Sequence, residues 1–215
     1  MNKTENFWNK ASKGYDKSEA RFEYIHNMTR EDAKKHLNVS NVVLDYGCGT
    51  GTKSCELASH VKEIHAIDIS AEMIEAAKNK AANNNIKNVH FAQTTIFDNE
   101  YENESFDVIF AFNMLHTVDT PHHVVQRIHE LLKPNGLLIS TTPCLGGRKS
   151  LLVSMQIHLV RLLSKIGIIP ITIRQYKSSD LDNLLIEGDF QITEAKEIYK
   201  GASSYFAVAR KSNRH

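Results

Sequence analysis

Short runs of branched and aromatic residues alternate along this chain with segments whose apolar positions recur every three or four residues. The runs at 41–46, 63–69, 88–93, 106–112 and 137–142 predict strands, and the segments at 52–59, 71–83 and 121–132 predict helices between them. Such alternation builds βα units around a mostly parallel sheet. The run 106–112 is nearly all apolar, as a strand buried on both faces requires. Ser70 stands where a helix cap is needed, with Glu72 and Glu75 complementing the helix dipole, and Pro121 suits a first helical turn. Lys133-Pro134-Asn135-Gly136 reads as a turn.

Two segments fall outside that alternation. Residues 5–37 precede the first strand and predict one or two helices. Residues 143–176 form an insertion before a closing helix at 178–187. Two alternating runs, 190–199 and 203–209, are joined by Lys200-Gly201-Ala202 and predict an antiparallel hairpin. The expected architecture is one doubly wound, Rossmann-like α/β domain with a seven-stranded, mostly parallel sheet. Its parts are an N-terminal helical cap (1–40), a cofactor-binding core (41–142), a cap insertion (143–176), and the closing helix and hairpin (177–215).

Within the insertion, Ser150, Ser154, His158, Arg161 and Lys165 form a polar stripe at helical spacing, while Leu151, Leu152, Met155, Leu159, Leu162 and Leu163 fill much of the rest. Ile166-Gly167-Ile168-Ile169-Pro170 continues apolar. That helix either buries itself on the domain or in a homodimer, or it serves an apolar acceptor, by lining its pocket or by transient membrane contact.

Bulk composition narrows the class. The 26 Lys and Arg nearly cancel the 25 Asp and Glu, so no global field draws the chain to nucleic acid. No apolar run approaches the roughly 20 residues that stable insertion through a bilayer needs. The polar start and three unpaired-looking cysteines (Cys48, Cys55, Cys144) lead us to expect a cytoplasmic protein. Of the 11 histidines only His122, His123 and His129 lie close in sequence, and no carboxylate completes a ligand set, so no metal is expected.

Chemistry enters at Val43-Leu44-Asp45-Tyr46-Gly47-Cys48-Gly49-Thr50-Gly51, where a buried strand runs into alternate glycines and then a helix. Glycines there let the backbone turn tightly and approach a flat ligand. Seventeen residues beyond Gly51, Asp68 ends the second strand and can accept hydrogen bonds from a ribose. Together these point to an adenosine cofactor. A phosphate-binding P-loop would need Gly-Lys before Ser or Thr, and a dinucleotide loop would need glycine at position 52, which is Thr. Asp45 would repel a pyrophosphate yet attract an ammonium, which favours S-adenosyl-L-methionine over NAD.

Four blocks in order resemble the class I S-adenosylmethionine-dependent methyltransferases, close to their quinone-biosynthesis and general small-molecule branch. They are the glycine loop, Ala66-Ile67-Asp68-Ile69-Ser70 with Met73-Ile74, Phe106-Asp107-Val108-Ile109 through Leu115-His116, and Leu131-Leu132-Lys133-Pro134-Asn135-Gly136. They cover about half the chain, and Phe7-Trp8-Asn9-Lys10 through Gly14-Tyr15-Asp16-Lys17 is similar to the family's N-terminal cap. The resemblance implies that Gly47, Gly49 and Gly51 line the methionine portion, that Asp68 holds the ribose, and that Ile69 and Met73 pack on the adenine. It implies Asn113 beside the methionine and Tyr15 covering the cofactor. Where the family places an Asp that reads the adenine amino group this chain has Thr95, with Ile96 beside it, a weaker acceptor. Structural duties compete for three of these: Asp45 as a helix cap, Met73 as core, Tyr15 as an anchor.

The implied reaction is methyl transfer to a small-molecule acceptor. His116 is the candidate catalytic base and His26 a second, while the competing role for His116 is shaping its loop. The alternatives are a nicotinamide-dependent oxidoreductase and a non-catalytic adenosyl-ligand-binding protein.

Overall fold

The computed structural model describes residues 3–165, 170 and 173–212. Its strands are β1 (Val42–Tyr46), β2 (Glu63–Asp68), β3 (Val89–Gln93), β4 (Phe106–Phe112), β5 (Leu132–Pro143), β6 (Phe190–Tyr199) and β7 (Ser203–Lys211). They form one seven-stranded sheet in the order β3-β2-β1-β4-β5-β7-β6, with β7 antiparallel to both its neighbours and the other pairs parallel. The doubly wound sheet and the C-terminal hairpin agree with the sequence pattern.

Both faces are covered because consecutive strand residues point opposite ways. Val43 belongs to a core cluster with Ile25, Leu57 and Phe206, and its neighbour Leu44 to a second cluster with Val124, Ile128 and Leu184. The helices between strands are α4 (Thr52–Leu57), α5 (Ala71–Asn83) and α6 (Pro121–Leu131), with α8 (Ser178–Glu187) before the hairpin. Ser70 caps α5 as its position suggested, accepting from the Met73 amide at 3.1 Å. Strand order reverses direction at β1, which opens a crevice beyond the carboxyl ends of β1 and β4.

Three features differ from the pattern reading. The N-terminal cap is three helices, α1 (Lys3–Ala11), α2 (Tyr15–Glu19) and α3 (Glu23–Lys34), separated by 3-10 turns at Ser12–Gly14 and Ala20–Phe22. Those turns bend the segment over the crevice, a tertiary demand that periodicity does not register. Strand β5 begins at Leu132, before the predicted turn. The turn survives as a bulge: Leu132 pairs with Phe106, Leu137 with Val108, and Asn135 between them is left-handed at φ 63°.

The third difference concerns the insertion helix α7 (Leu151–Lys165). Leu151, Met155, Leu159 and Leu162 face outward, and Val153, Ile157 and Val160 face inward. The side chains of Leu152, Arg161 and Lys165, and the apolar stretch 166–169, lie outside the described residues.

Candidate functional site

The loop after β1 is held in shape by its backbone. Gly49 and Gly51 adopt φ of 55° and 71°, a region that side chains disfavour. A Cβ on Gly49 would meet the Tyr15 ring at 3.3 Å, and one on Gly51 would meet Ala77 Cβ and Phe91 Cε1 at 2.8 Å. Gly49 therefore admits the cap, and Gly51 lets α5 and β3 close behind the loop. Asp68 fastens this arrangement from the end of β2. Its Oδ2 accepts from the Gly49 amide at 3.0 Å and its Oδ1 from the Ser70 amide at 2.9 Å. Burial raises its pKa against those bonds.

The cap docks through polar contacts. Asn9 Oδ1 accepts from Ser70 Oγ at 2.6 Å, and Asp16 accepts from Thr50 Oγ1 at 2.5 Å and from Lys80 Nζ at 2.9 Å. Burial pushes the Asp16 carboxyl up, but Thr50 and Lys80 outweigh it and hold the group below its ordinary range.

Three cavities meet beneath the cap. The first, about 460 Å³, is walled by Gly47, Gly49, Asp68, Ile69, Met73 and Thr95, with Phe97 and Met114 on further sides. A second, about 250 Å³, runs past Asp45, Gly47, Cys48 and Thr50 to Glu19, Lys53 and Arg30. The third, about 330 Å³, is mainly apolar, and its walls include Phe22, Ile25, Val153, Ile157 and Val160. Tyr15 lines all three, Asn113 the first and third, and Glu19 and His26 the second and third. A larger open cleft of about 850 Å³ lies at the opposite ends of the strands, by Glu104, Pro134 and Lys211, and shares no lining residue with these three.

Electrostatics distinguish the cavities. In the second, Asp45 is buried and accepts from Ser54 Oγ, and burial pushes its carboxyl up to about 6. Lys53 lies 3.9 Å from Glu19, and burial lowers its pKa. Burial pushes Glu19 up as well, yet His26 at 3.1 Å and Lys53 outweigh it and keep the carboxyl below its ordinary range. In the third cavity burial pulls the His116 imidazole down to about 4. Its Nδ1 has no hydrogen-bond partner among the described residues. Burial pushes the Tyr15 phenol well above its ordinary value, so it keeps its proton.

The structure thus brings Tyr15, Gly47, Gly49, Asp68, Ile69, Met73, Thr95 and Asn113 around one cavity. Asp45 faces the adjoining one, Gly51 packs against α5 and β3, and Ile96 is fully buried in the core. Asp68 carries a structural duty that its strand-end position did not suggest. Asn113 takes φ 56° as its amide donates to Thr141 O at 2.7 Å, an unusual backbone that asparagine tolerates. Sequence reasoning missed Glu19, Phe97 and the inward residues of α7. Glu19 had a signal, because it follows Tyr15 by four residues and so shares its helix face. The others depend on how distant segments fold together.

Comparison with known proteins agrees with this geometry. A protein-family profile described as a methyltransferase domain matches residues 37–188. The chain is 37% identical over 105 residues to a ubiquinone biosynthesis O-methyltransferase of Haemophilus ducreyi, covering 46% of this chain and 44% of that protein. It is 36% identical over 118 residues to a malonyl-[acyl-carrier protein] O-methyltransferase of Halalkalibacterium halodurans, covering 53% and 42% respectively. The chain thus spans less than half the length of these curated relatives. Among solved structures, the YcgJ protein from Bacillus subtilis superposes with a TM-score of 0.72 at 16% identity, over 88% of this chain and 100% of that one. The profile match spans well over half of the sequence, and the chain belongs to the methyltransferase-domain family.

Proposed function

We propose that this chain transfers the methyl group of S-adenosyl-L-methionine to a small, largely apolar molecule. The observation that carries the reading is the junction at Tyr15 of a nucleoside-sized cavity, an acid-bearing cavity and an apolar one, with Asn113 between the first and the last. Asp68 would hold the ribose, Ile69 and Met73 the adenine, and the Asp45 side of the glycine loop the ammonium. Thr95 and Phe97 complete the adenine end. When bound, the sulfonium supplies a methyl carbon with a good leaving group. Transfer would then need the acceptor atom held in line with that carbon by the cavity walls, and a base or water to take the acceptor's proton.

Most of the acceleration then comes from alignment and exclusion of water, worth roughly 7–11 kcal/mol when geometry is ideal. His116, neutral near pH 7, is suited to accept a hydrogen bond from an acceptor hydroxyl and so to orient it. His26, backed by Glu19, is the second proton acceptor on the same wall. The near balance of charge fits a small acceptor better than a nucleic acid.

Calorimetry with S-adenosylhomocysteine tests the donor half. Binding is expected, and Asp68→Ala should weaken it by about 1.5–3 kcal/mol, the worth of hydrogen bonds to a charged group. No binding, with NADH bound tightly instead, would overturn the reading. Turnover assays across polar and apolar acceptors test the other half. His116→Ala should lower turnover without altering donor affinity, and unchanged turnover would remove His116 from the chemistry.

A further inference from the structure

We propose that the outer face of α7 docks this chain on an anionic membrane surface, from which the apolar cavity beneath it draws its acceptor. The helix is apolar on two opposite sides. Val153, Ile157 and Val160 line the cavity, while Leu151, Met155, Leu159 and Leu162 point away from it, 86%, 69%, 57% and 57% exposed. Spacings of four, four and three residues put those four in one stripe. Isolated exposed apolar residues are ordinary, but a continuous stripe on one helix is not.

Charge identifies what covers it. Residues 144–177 contain Arg148, Lys149, Arg161, Lys165, Arg174 and Lys177 and no Asp or Glu. This segment is therefore +6, while the rest of the chain is −5. Arg174 is committed inward, donating to the carbonyls of Val118 and Asp119. Arg148 stands at the start of the stripe, joined there by Lys200 from outside the segment. The Ser150 amide donates to Gly201 O at 2.8 Å, which brings the β6–β7 turn against the beginning of α7. There the exposed Arg148 guanidinium lies 4.7 Å from the Tyr199 ring centroid, and Lys200 Nζ lies 5.2 Å from that of Tyr24. An apolar helix face flanked by exposed aromatic rings and cations is the composition of helices that lie in the headgroup region. Its 15 residues are too few to span a bilayer, and no described helix is long and apolar enough to do so. A second copy seated on the same face would set two +6 segments against each other, which argues for phospholipid.

The surface stands on geometry and charge alone; the supply of an acceptor rests on the proposed function. Vesicle co-sedimentation is read without cofactor or acceptor, so its failure and that of the methyl-transfer reading are distinguishable. The chain is expected to sediment with phosphatidylcholine vesicles containing phosphatidylglycerol, to bind at least tenfold more weakly to phosphatidylcholine alone, and to be released by salt. Met155→Glu with Leu159→Glu should abolish sedimentation while circular dichroism is unchanged. Arg148→Glu should weaken it at least fivefold, since removing one cation near such a surface already costs about that much. Equal binding to both vesicle types, or none to either, would overturn the proposal. So would size-exclusion chromatography showing a dimer that the double variant splits while vesicle binding persists unchanged.

Discussion

On the donor side of the site most walls are strand ends and helices fixed by the sheet, whereas the walls on the acceptor side include α7, a helix that buries little. Six of the seven residues of β4 are buried, and Met73 and Ile74 of α5 are nearly inaccessible. By contrast α1 and α2 have no buried residue, and neither does α7 among its described side chains. Polar contacts such as Asn9 to Ser70 and Asp16 to Lys80 help to attach α1 and α2. Regions with few buried apolar contacts open locally at low free-energy cost. A rigid donor half and a more loosely seated acceptor half would let the proposed apolar acceptor enter without unfolding the part proposed to hold the cofactor.

The largest effect should come from striking the rigid half at its tightest point. Gly51→Val would place a branched side chain at φ 71° and against Ala77 and Phe91. Backbone strain and overpacking each cost roughly 1–3 kcal/mol, so denaturant titration should show a loss of about 2–6 kcal/mol. A loss under 1 kcal/mol would mean the donor half is softer than described.

A smaller effect should appear with pH. Asp45 has a folded-state pKa of about 6 against an ordinary 3.8. Stability held by its protonated form is complete below the lower value and lost as pH rises through the upper one. Ionising this carboxylate near pH 7 then costs on the order of 3 kcal/mol. Asp45→Asn should match the parent at low pH and exceed it in stability above pH 6, as urea melts across pH would record. Affinity for the cationic donor should run the other way, falling as pH drops through about 6 because the carboxylate loses its charge. Stability curves that stay parallel would place the cost elsewhere.

The smallest effect belongs to the loose half. Asp16 is largely exposed, so Asp16→Ala should change global stability by less than about 1 kcal/mol. Hydrogen exchange should nonetheless quicken across residues 3–22 and leave the strands unaltered. Uniform quickening would erase the distinction between the halves.

This division also governs what could be read from sequence. Strand β4, the closing helix and the span of β6 follow from periodicity within continuous segments, and the glycine loop with Asp68 follows from local geometry. The two 3-10 turns of the cap were hidden, because they answer to the crevice beneath them and not to local propensity. On α7 the apolar positions were visible but not their destinations, since apolar residues lie to either side of its polar stripe and local spacing does not say which of them face the cavity. Gly51 and Ile96 were read as ligand contacts from motif position, yet neither lines the donor cavity: Gly51 sits against Ala77 and Phe91, and Ile96 is fully buried.

The phenol of Tyr15, resting on Gly49, is a partition common to three chambers. No chamber has a boundary of its own on that side. Any occupant that tilts the ring resizes the space left for the other two. Trimming the ring to a methyl would join the chambers into a single wet hollow.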